Sequence, residues 1–165
     1  MKTILFIIGC ITTTLSVSAQ LVSSSPVCPT FKVDVLDGNI NKIHSKSTIG
    51  EVTKMFPCFT EKVDKDDVEC TRVIYKDKGV SFFPGRNYIE INDKFRGTME
   101  PALMGASRGG LFRTLGNPKM KDANWDAFQT QYGTLVLYYN KAGKINKIQM
   151  SSRGTETMKL CEAAN

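Results

Sequence analysis

The sequence predicts an α+β protein: two helix-plus-antiparallel-β-meander repeats packed as one two-layer domain and stapled by disulfides. Three observations lead there. Two segments with apolar residues at helical spacing, Ile43 to Phe56 and Ser107 to Leu115, are each closed by a proline, Pro57 and Pro118. Each is followed by a polar loop and three short strand-like runs. Four cysteines, Cys28, Cys58, Cys70 and Cys161, lie beyond an N-terminal stretch with the zones of an export signal.

That stretch runs from Met1 to Ala19. Lys2 supplies a positive start, Ile4 to Ile11 an apolar run, and Val17-Ser18-Ala19 a small-residue cleavage signature before Gln20. The run breaks at Thr12-Thr13-Thr14, well short of the roughly 20 residues that span a bilayer, and no later segment is apolar for that length. The expected location is therefore periplasmic or extracellular, with no transmembrane span. A competing reading takes Ile7-Ile8-Gly9-Cys10 as a lipoprotein box, with Cys10 as the lipid anchor.

Export sets the redox compartment, and four remaining cysteines there read as two disulfides. Three pairings satisfy the arithmetic. The expected one joins Cys58 to Cys70, close in sequence, and leaves Cys28 to tie the ends of the domain together with Cys161. Loop closure assigns roughly 3 kcal/mol to a short bridge and nearly 5 to a long one. Zinc is not expected, because no C-x-x-C pair occurs and His44 is the only histidine.

Residues 20–42 read as an N-terminal arm and a strand: Leu21 to Pro29 is rich in Ser and Pro, then Phe31, Val33 and Val35 alternate with Lys32 and Asp34 before the Asp37-Gly38 turn. Residues 43–97 form the first repeat. Ile49, Val52, Met55 and Phe56 make a helical face behind Ser47 as N-cap. The charged stretch Glu61 to Cys70 reads as a solvated loop, and it lacks the sixth-position glycine and twelfth-position glutamate of a calcium loop. Thr71 to Tyr75, Val80 to Phe83 and Tyr88 to Ile91 then read as a meander with turns at Lys76 to Gly79 and Pro84 to Asn87.

Residues 98–150 form the second repeat after a Gly97 to Pro101 connection. The helix here is expected to start late, near Gly110, because glycine forms helix poorly. After the Lys119 to Asp126 loop come strands Ala127 to Tyr132, Thr134 to Tyr139 and Lys144 to Met150. Leu135 to Tyr139 is apolar without alternation, the mark of a strand covered on both faces. Residues 151–165 are a C-terminal tail tied by Cys161.

The helix patterns, Ser47-x-x-Gly50-x-Val52-x-x-Met55-x-Pro57 and Ser107-x-x-Gly110-x-Phe112-x-x-Leu115-Gly116-x-Pro118, each lead into a loop and a meander. In this they resemble the repeat unit of the BamE/SmpA outer-membrane assembly lipoproteins and of the secreted β-lactamase inhibitory proteins. The Gly-Met that opens the helix in those families stands here as Met104-Gly105, transposed. The resemblance implies a non-enzymatic protein-binding scaffold, and no functional residue carries over from it.

The chain carries a net charge of +6, and most of the excess falls in residues 98–165, which favours an acidic partner by long-range steering. Nucleic acid is not expected, since no basic stripe is interleaved with aromatics. No nucleophile-base pair, metal motif or cofactor motif is present, so catalytic, metal and cofactor residues are none. The lone Trp125, flanked by polar residues, is the expected anchor for a protein partner. Arg108, Arg113 and Lys121 complete the expected partner-binding set. The resulting expectation is an exported non-enzymatic binding or inhibitory module. Its alternatives are a small exported hydrolase using paired carboxylates among Glu90, Asp93, Glu100 and Asp126, and an envelope-assembly lipoprotein.

Overall fold

The computed structural model describes residues 26–64 and 70–161. The expected export signal, Cys10 and the middle of the charged Glu61 to Cys70 stretch lie outside the described residues. In chain order the elements are β1 (Phe31–Asp34), β2 (Asn39–Ile40), β3 (Ile43–His44), α1 (Ile49–Met55), β4 (Glu61–Val63), β5 (Arg72–Tyr75), β6 (Val80–Phe83) and β7 (Tyr88–Asn92). There follow β8 (Gly97–Glu100), α2 (Phe112–Leu115), β9 (Met120–Lys121), β10 (Trp125–Gln129), β11 (Thr134–Tyr139) and β12 (Ile145–Ser151).

Among the described residues strand makes up 38% and helix 12%, which corrects the expected fold class. The protein is mostly β, built from two sheets, and is not a pair of helix-plus-meander repeats. The larger sheet is antiparallel with strand order β4-β5-β6-β7-β12-β11-β10-β9. The smaller has order β3-β2-β1-β8, in which β1 and β8 run parallel.

The helices are short for local reasons. Asn41 and Lys42 take left-handed φ values of 51° and 69°, and the turn they make folds Ile43–His44 back as β3 against β2. Helix α1 then starts one residue later than the Ser47 cap predicts. Thr48 is the cap: its side chain accepts from the Glu51 N–H at 3.3 Å and the Glu51 carboxylate accepts from the Thr48 N–H at 2.7 Å. In the second segment Arg108–Gly110 forms only a 3-10 turn, and α2 is a single turn of four residues. Two adjacent glycines there weigh against a longer helix.

Three stretches expected as loops contain strands. Glu61–Val63 pairs with β5 as a charged sheet edge, Gly97–Glu100 pairs with β1, and the expected Lys119 to Asp126 loop holds β9 and the start of β10, which pair with each other. Charged edge strands resist further pairing, which suits β4 to its position. At β8 the close approach is made at Gly97, where a Cβ would collide with the Phe31 carbonyl.

One face of the larger sheet is dry. Val73, Tyr75, Val80, Phe82, Ile89, Ile91, Leu135, Leu137, Ile148 and Met150 pack there against Phe31, Val33 and Ile40 of the smaller sheet and Val52 and Phe56 at α1. Phe31 stacks on Phe56 with ring centroids 4.3 Å apart, and the Tyr75 hydroxyl donates to the Phe56 carbonyl at 2.7 Å.

This packing decides the disulfides. The Phe31–Phe56 stack brings the chain just before β1 beside the chain just after α1, so Cys28 bonds Cys58. Cys70, at the start of β5, bonds Cys161. The expected pairs Cys58–Cys70 and Cys28–Cys161 are thus both exchanged. Closing loops of 30 and 91 residues removes about 3.6 and about 4.6 kcal/mol of unfolded-chain entropy on the loop-closure relation. Among the described residues, no helix is long and apolar enough to cross a membrane.

Candidate functional site

Among the described residues, no sheet or helix lies over the opposite face of the larger sheet. Alternation along β10 divides its side chains cleanly: Asp126 and Phe128 face inward, while Trp125 and Ala127 face out. Cross-strand pairing carries the outward set across the sheet, since Trp125 opposes Tyr138, Ala127 opposes both Val136 and Met120, and Val136 opposes Gln149. The result is an apolar groove of about 210 Å³ with Trp125, Met120 and Tyr138 on one side.

The groove's other side comes from the C-terminal segment. After β12 the chain crosses this outer face, placing Thr155, Met158 and Leu160 against the strands before Cys161 reaches Cys70. Met120 and Leu160 remain 44% and 41% exposed, so the groove opens to solvent through two large apolar side chains. Lys119 and Lys121 flank Met120 and are exposed, with Lys119 3.4 Å from Glu156.

Beyond the tail lies a second, more polar groove of about 480 Å³ that includes Glu61, Arg72, Phe83, Tyr88, Glu90 and Lys147. Its floor is a chain of hydrogen bonds: Tyr138 donates to Gln149 Oε1 at 2.8 Å, and Gln149 Nε2 donates to Glu90 Oε2 at 2.8 Å. Gln149 is 2% exposed, and this pairing satisfies its buried amide. The Lys147 ammonium sits 4.2 Å from the centroid of the Tyr138 ring. Lys76 and Arg72 beside Glu61 hold its carboxyl below the usual carboxylate range.

Of the residues expected to bind a partner, Trp125 occupies the apolar groove. Lys121 opposes Asp126 on the other side of the β9–β10 edge and lines a separate depression of about 350 Å³ with Arg108. The fold therefore does not bring Trp125 together with Arg108 and Lys121 in one groove. Arg108 is tied down: its Nε donates to Asp126 Oδ2 at 2.9 Å, its Nη2 donates to Asp126 Oδ1 and to the Asp122 carbonyl, and its Nη1 donates to the Ala123 carbonyl. Arg113 lies exposed on α2. Met120, Tyr138, Met158 and Leu160 escaped the sequence reading. The only signal for the last two was their alternation, Met158-x-Leu160, just ahead of Cys161.

The carboxylates considered for hydrolysis line four different grooves: Glu90 under the tail, Glu100 beside β1, Asp126 beside Arg108, and Asp93 near Tyr139. Paired-carboxylate chemistry needs two of them facing one bond. Among the described residues, no three His, Cys, Asp or Glu side chains cluster to hold a metal ion. No family model, curated protein or solved structure matches the chain, and the resemblance carried by Leu115-Gly116-Asn117-Pro118 rests on that pattern alone.

Proposed function

We propose that this is an exported protein-binding module that docks a protein partner on the outer face of its larger sheet, with Trp125 as the anchor. The observation that carries the reading is the groove in which Trp125 meets two exposed apolar side chains, Met120 and Leu160, on a sheet face that no helix covers among the described residues. Aromatic anchors in partly desolvated pockets dominate protein interfaces, and a rim of mixed charge limits their wrong partners. Lys119, beside Glu156 of the segment that walls the groove, suits an acidic flank on the partner, which is also the sign that the net charge of +6 would steer.

The test is photo-cross-linking. A photoreactive amino acid is placed at Met120, and the protein is exposed to the envelope and secreted fractions of its source. A discrete protein adduct is expected, retained in Arg113→Ala, weakened by high salt and lost in Trp125→Ala. An adduct indifferent to Trp125→Ala, or no adduct from this position, refutes the reading.

A further inference from the structure

The outer face carries side chains that a sheet surface open to water would not bury. Tyr88, Thr134, Val136, Gln149 and Ser151 all point outward and are all buried. What lies across this face is the segment after β12. Its root is firmly bonded: Ser152 N–H donates to Ser45 Oγ at 3.0 Å and to the Asn87 carbonyl at 3.2 Å, and Thr134 Oγ1 donates to the Arg153 carbonyl at 2.7 Å. Its far end is held by the Cys70–Cys161 disulfide and by the Cys161 N–H, which donates to the Tyr88 hydroxyl at 3.3 Å.

The stretch between these two ends is attached differently. Thr157 and Met158 N–H groups both donate back to the Gly154 carbonyl, and among the described residues no N–H from 154 to 160 pairs with a strand of the sheet. The contacts are those of Thr155, Met158 and Leu160 with the groove. The Thr155 hydroxyl is buried there and, among the described residues, finds no hydrogen-bond partner, a cost that leaving the groove relieves. Segments with few buried apolar contacts and no ladder bonds open at low free energy.

The two disulfides also differ in setting. Cys28 and Cys58 pack against the hydrophobic core, whereas Cys70 and Cys161 lie apart from it, at the polar groove of the outer face. An incoming thiolate therefore meets the second disulfide without disturbing the core.

We propose that residues 154–161 form a disulfide-latched strap over the docking face, and that thiol–disulfide exchange at Cys70–Cys161 releases it. The proposal rests on the docking reading above and adds its regulation. A dithiol reductant supplies the exchange: its thiolate attacks one sulfur of the disulfide, its second thiol closes on the mixed disulfide, and Cys70 and Cys161 leave as thiols. The dithiol loses two electrons and two protons, and the protein gains both. Opening exposes Val136, Thr134 and Gln149 beside Trp125 and joins the apolar and polar grooves into one surface.

Trp125 is the only tryptophan and lines the groove with Met158 and Leu160, so its emission reports the strap directly. The experiment compares the oxidised protein, the protein treated with dithiothreitol, and Cys70→Ser/Cys161→Ser, with alkylation and mass spectrometry to identify the opened disulfide. Hydrogen exchange and far-ultraviolet circular dichroism follow each form. The expected result is that Cys70–Cys161 reduces before Cys28–Cys58. Emission then shifts to the red in both opened forms, and amides 155–160 lose protection while those of β10 to β12 keep it. The melting temperature falls because a long loop closure is lost from the unfolded chain, yet the sheet spectrum persists. Unchanged emission in the opened forms overturns the proposal, and so does loss of protection in β10 to β12 together with the strap, including outright failure of the double variant to fold. Cross-linking from Met120 separates the two readings. A red shift accompanied by a stronger adduct supports both, whereas a red shift with no adduct in either redox state leaves the latch standing and refutes the docking partner.

Discussion

Arg108 closes a two-pronged ion pair on Asp126, whose residue is only 3% exposed, and the same carboxylate accepts the Tyr139 hydroxyl at 2.8 Å. The guanidinium carbon also stands 4.9 Å from the centroid of the Tyr139 ring. One basic side chain thereby pins the turn between β9 and β10, through the Asp122 and Ala123 carbonyls, to the inner side of β10. Removing it leaves a buried carboxylate short of its charge partner; because the guanidinium is itself 35% exposed, the cost is about 1–3 kcal/mol, below that of breaking a fully buried pair. Chemical denaturation of Arg108→Ala is expected to show a loss of that order, while Arg113→Ala, at an exposed position, stays within about 0.5 kcal/mol of wild type. Equal effects of the two changes contradict the structural role given to Arg108.

That contrast marks how far the sequence could be read. Arg108 and Arg113 look alike along the chain, and what separates them is Asp126, a neighbour only after β9 and β10 have paired. Local pattern was enough for β1, where Phe31 and Val33 are buried and Val35 just beyond it is too, and for the β5–β6 hairpin around Lys76 to Gly79. It was also enough for Leu135 and Leu137 on a strand bounded by two others. It failed for Gly97–Glu100, which is mostly exposed and has no alternation to detect, because a parallel partner 66 residues upstream makes it a strand. Ser107 to Leu115 had the spacing of a helix, but its glycines left only a 3-10 turn and a single α turn. Cysteine spacing carried no information on pairing. That depended on the Phe31–Phe56 stack and on a tail that returns across the sheet. Trp125 stood out as a lone aromatic, whereas the strap that forms the other wall of its groove left only Met158 and Leu160 as a trace.

The Thr48–Glu51 box supplies a second prediction. An N-cap threonine replaced by alanine costs about 1 kcal/mol. Thr48→Ala is expected to lose that much, and Ser47→Ala much less, since the Ser47 hydroxyl only accepts the exposed His44 N–H at 3.2 Å. The backbone and side-chain hydrogen bonds from Thr48 hold the Glu51 carboxyl below the usual carboxylate range. A depressed carboxyl contributes its stabilisation in full above the unfolded value and loses it as pH falls through the folded one. Glu51→Gln should therefore lower stability most near neutrality, where the depressed carboxyl contributes in full, and so flatten part of the decline on acidification. Thermal melts from neutral to acidic pH check the slope.

Gly133 sits at the turn between β10 and β11 with φ of 142°, and a Cβ there would collide with the Ser151 carbonyl. The constraint is doubled, because the backbone conformation itself is one that side chains rarely adopt. Gly133→Ala is expected to destabilise by more than about 1 kcal/mol, the reverse of the small gain that glycine-to-alanine changes give at compatible sites. Gly109→Ala makes the control, since a Cβ at Gly109 meets nothing within 4 Å. Denaturant midpoints that move alike for both variants count against the close approach at Ser151.

Tyr88 gives the most direct view of what covers the outer face. Its residue is 2% exposed, its ring stacks on Phe83 at 4.3 Å, and its hydroxyl accepts the Cys161 N–H at the end of the strap. Burial pushes its phenol up to about 12, with the Cys161 N–H pulling slightly the other way. The fold thus favours the neutral ring. Its contribution is complete below the ordinary tyrosine value of about 10 and is lost as pH rises through the shifted value. Tyrosinate absorbance measured as the difference between wild type and Tyr88→Phe isolates this one hydroxyl from the other four tyrosines. In the oxidised protein the difference should titrate well above 10 and in step with alkaline unfolding. In the Cys70→Ser/Cys161→Ser background, where the strap no longer shields the ring, it should move down toward the ordinary value before the sheet unfolds. If the difference titrates at the ordinary value in the oxidised protein, Tyr88 is already open to water and the strap does not cover it.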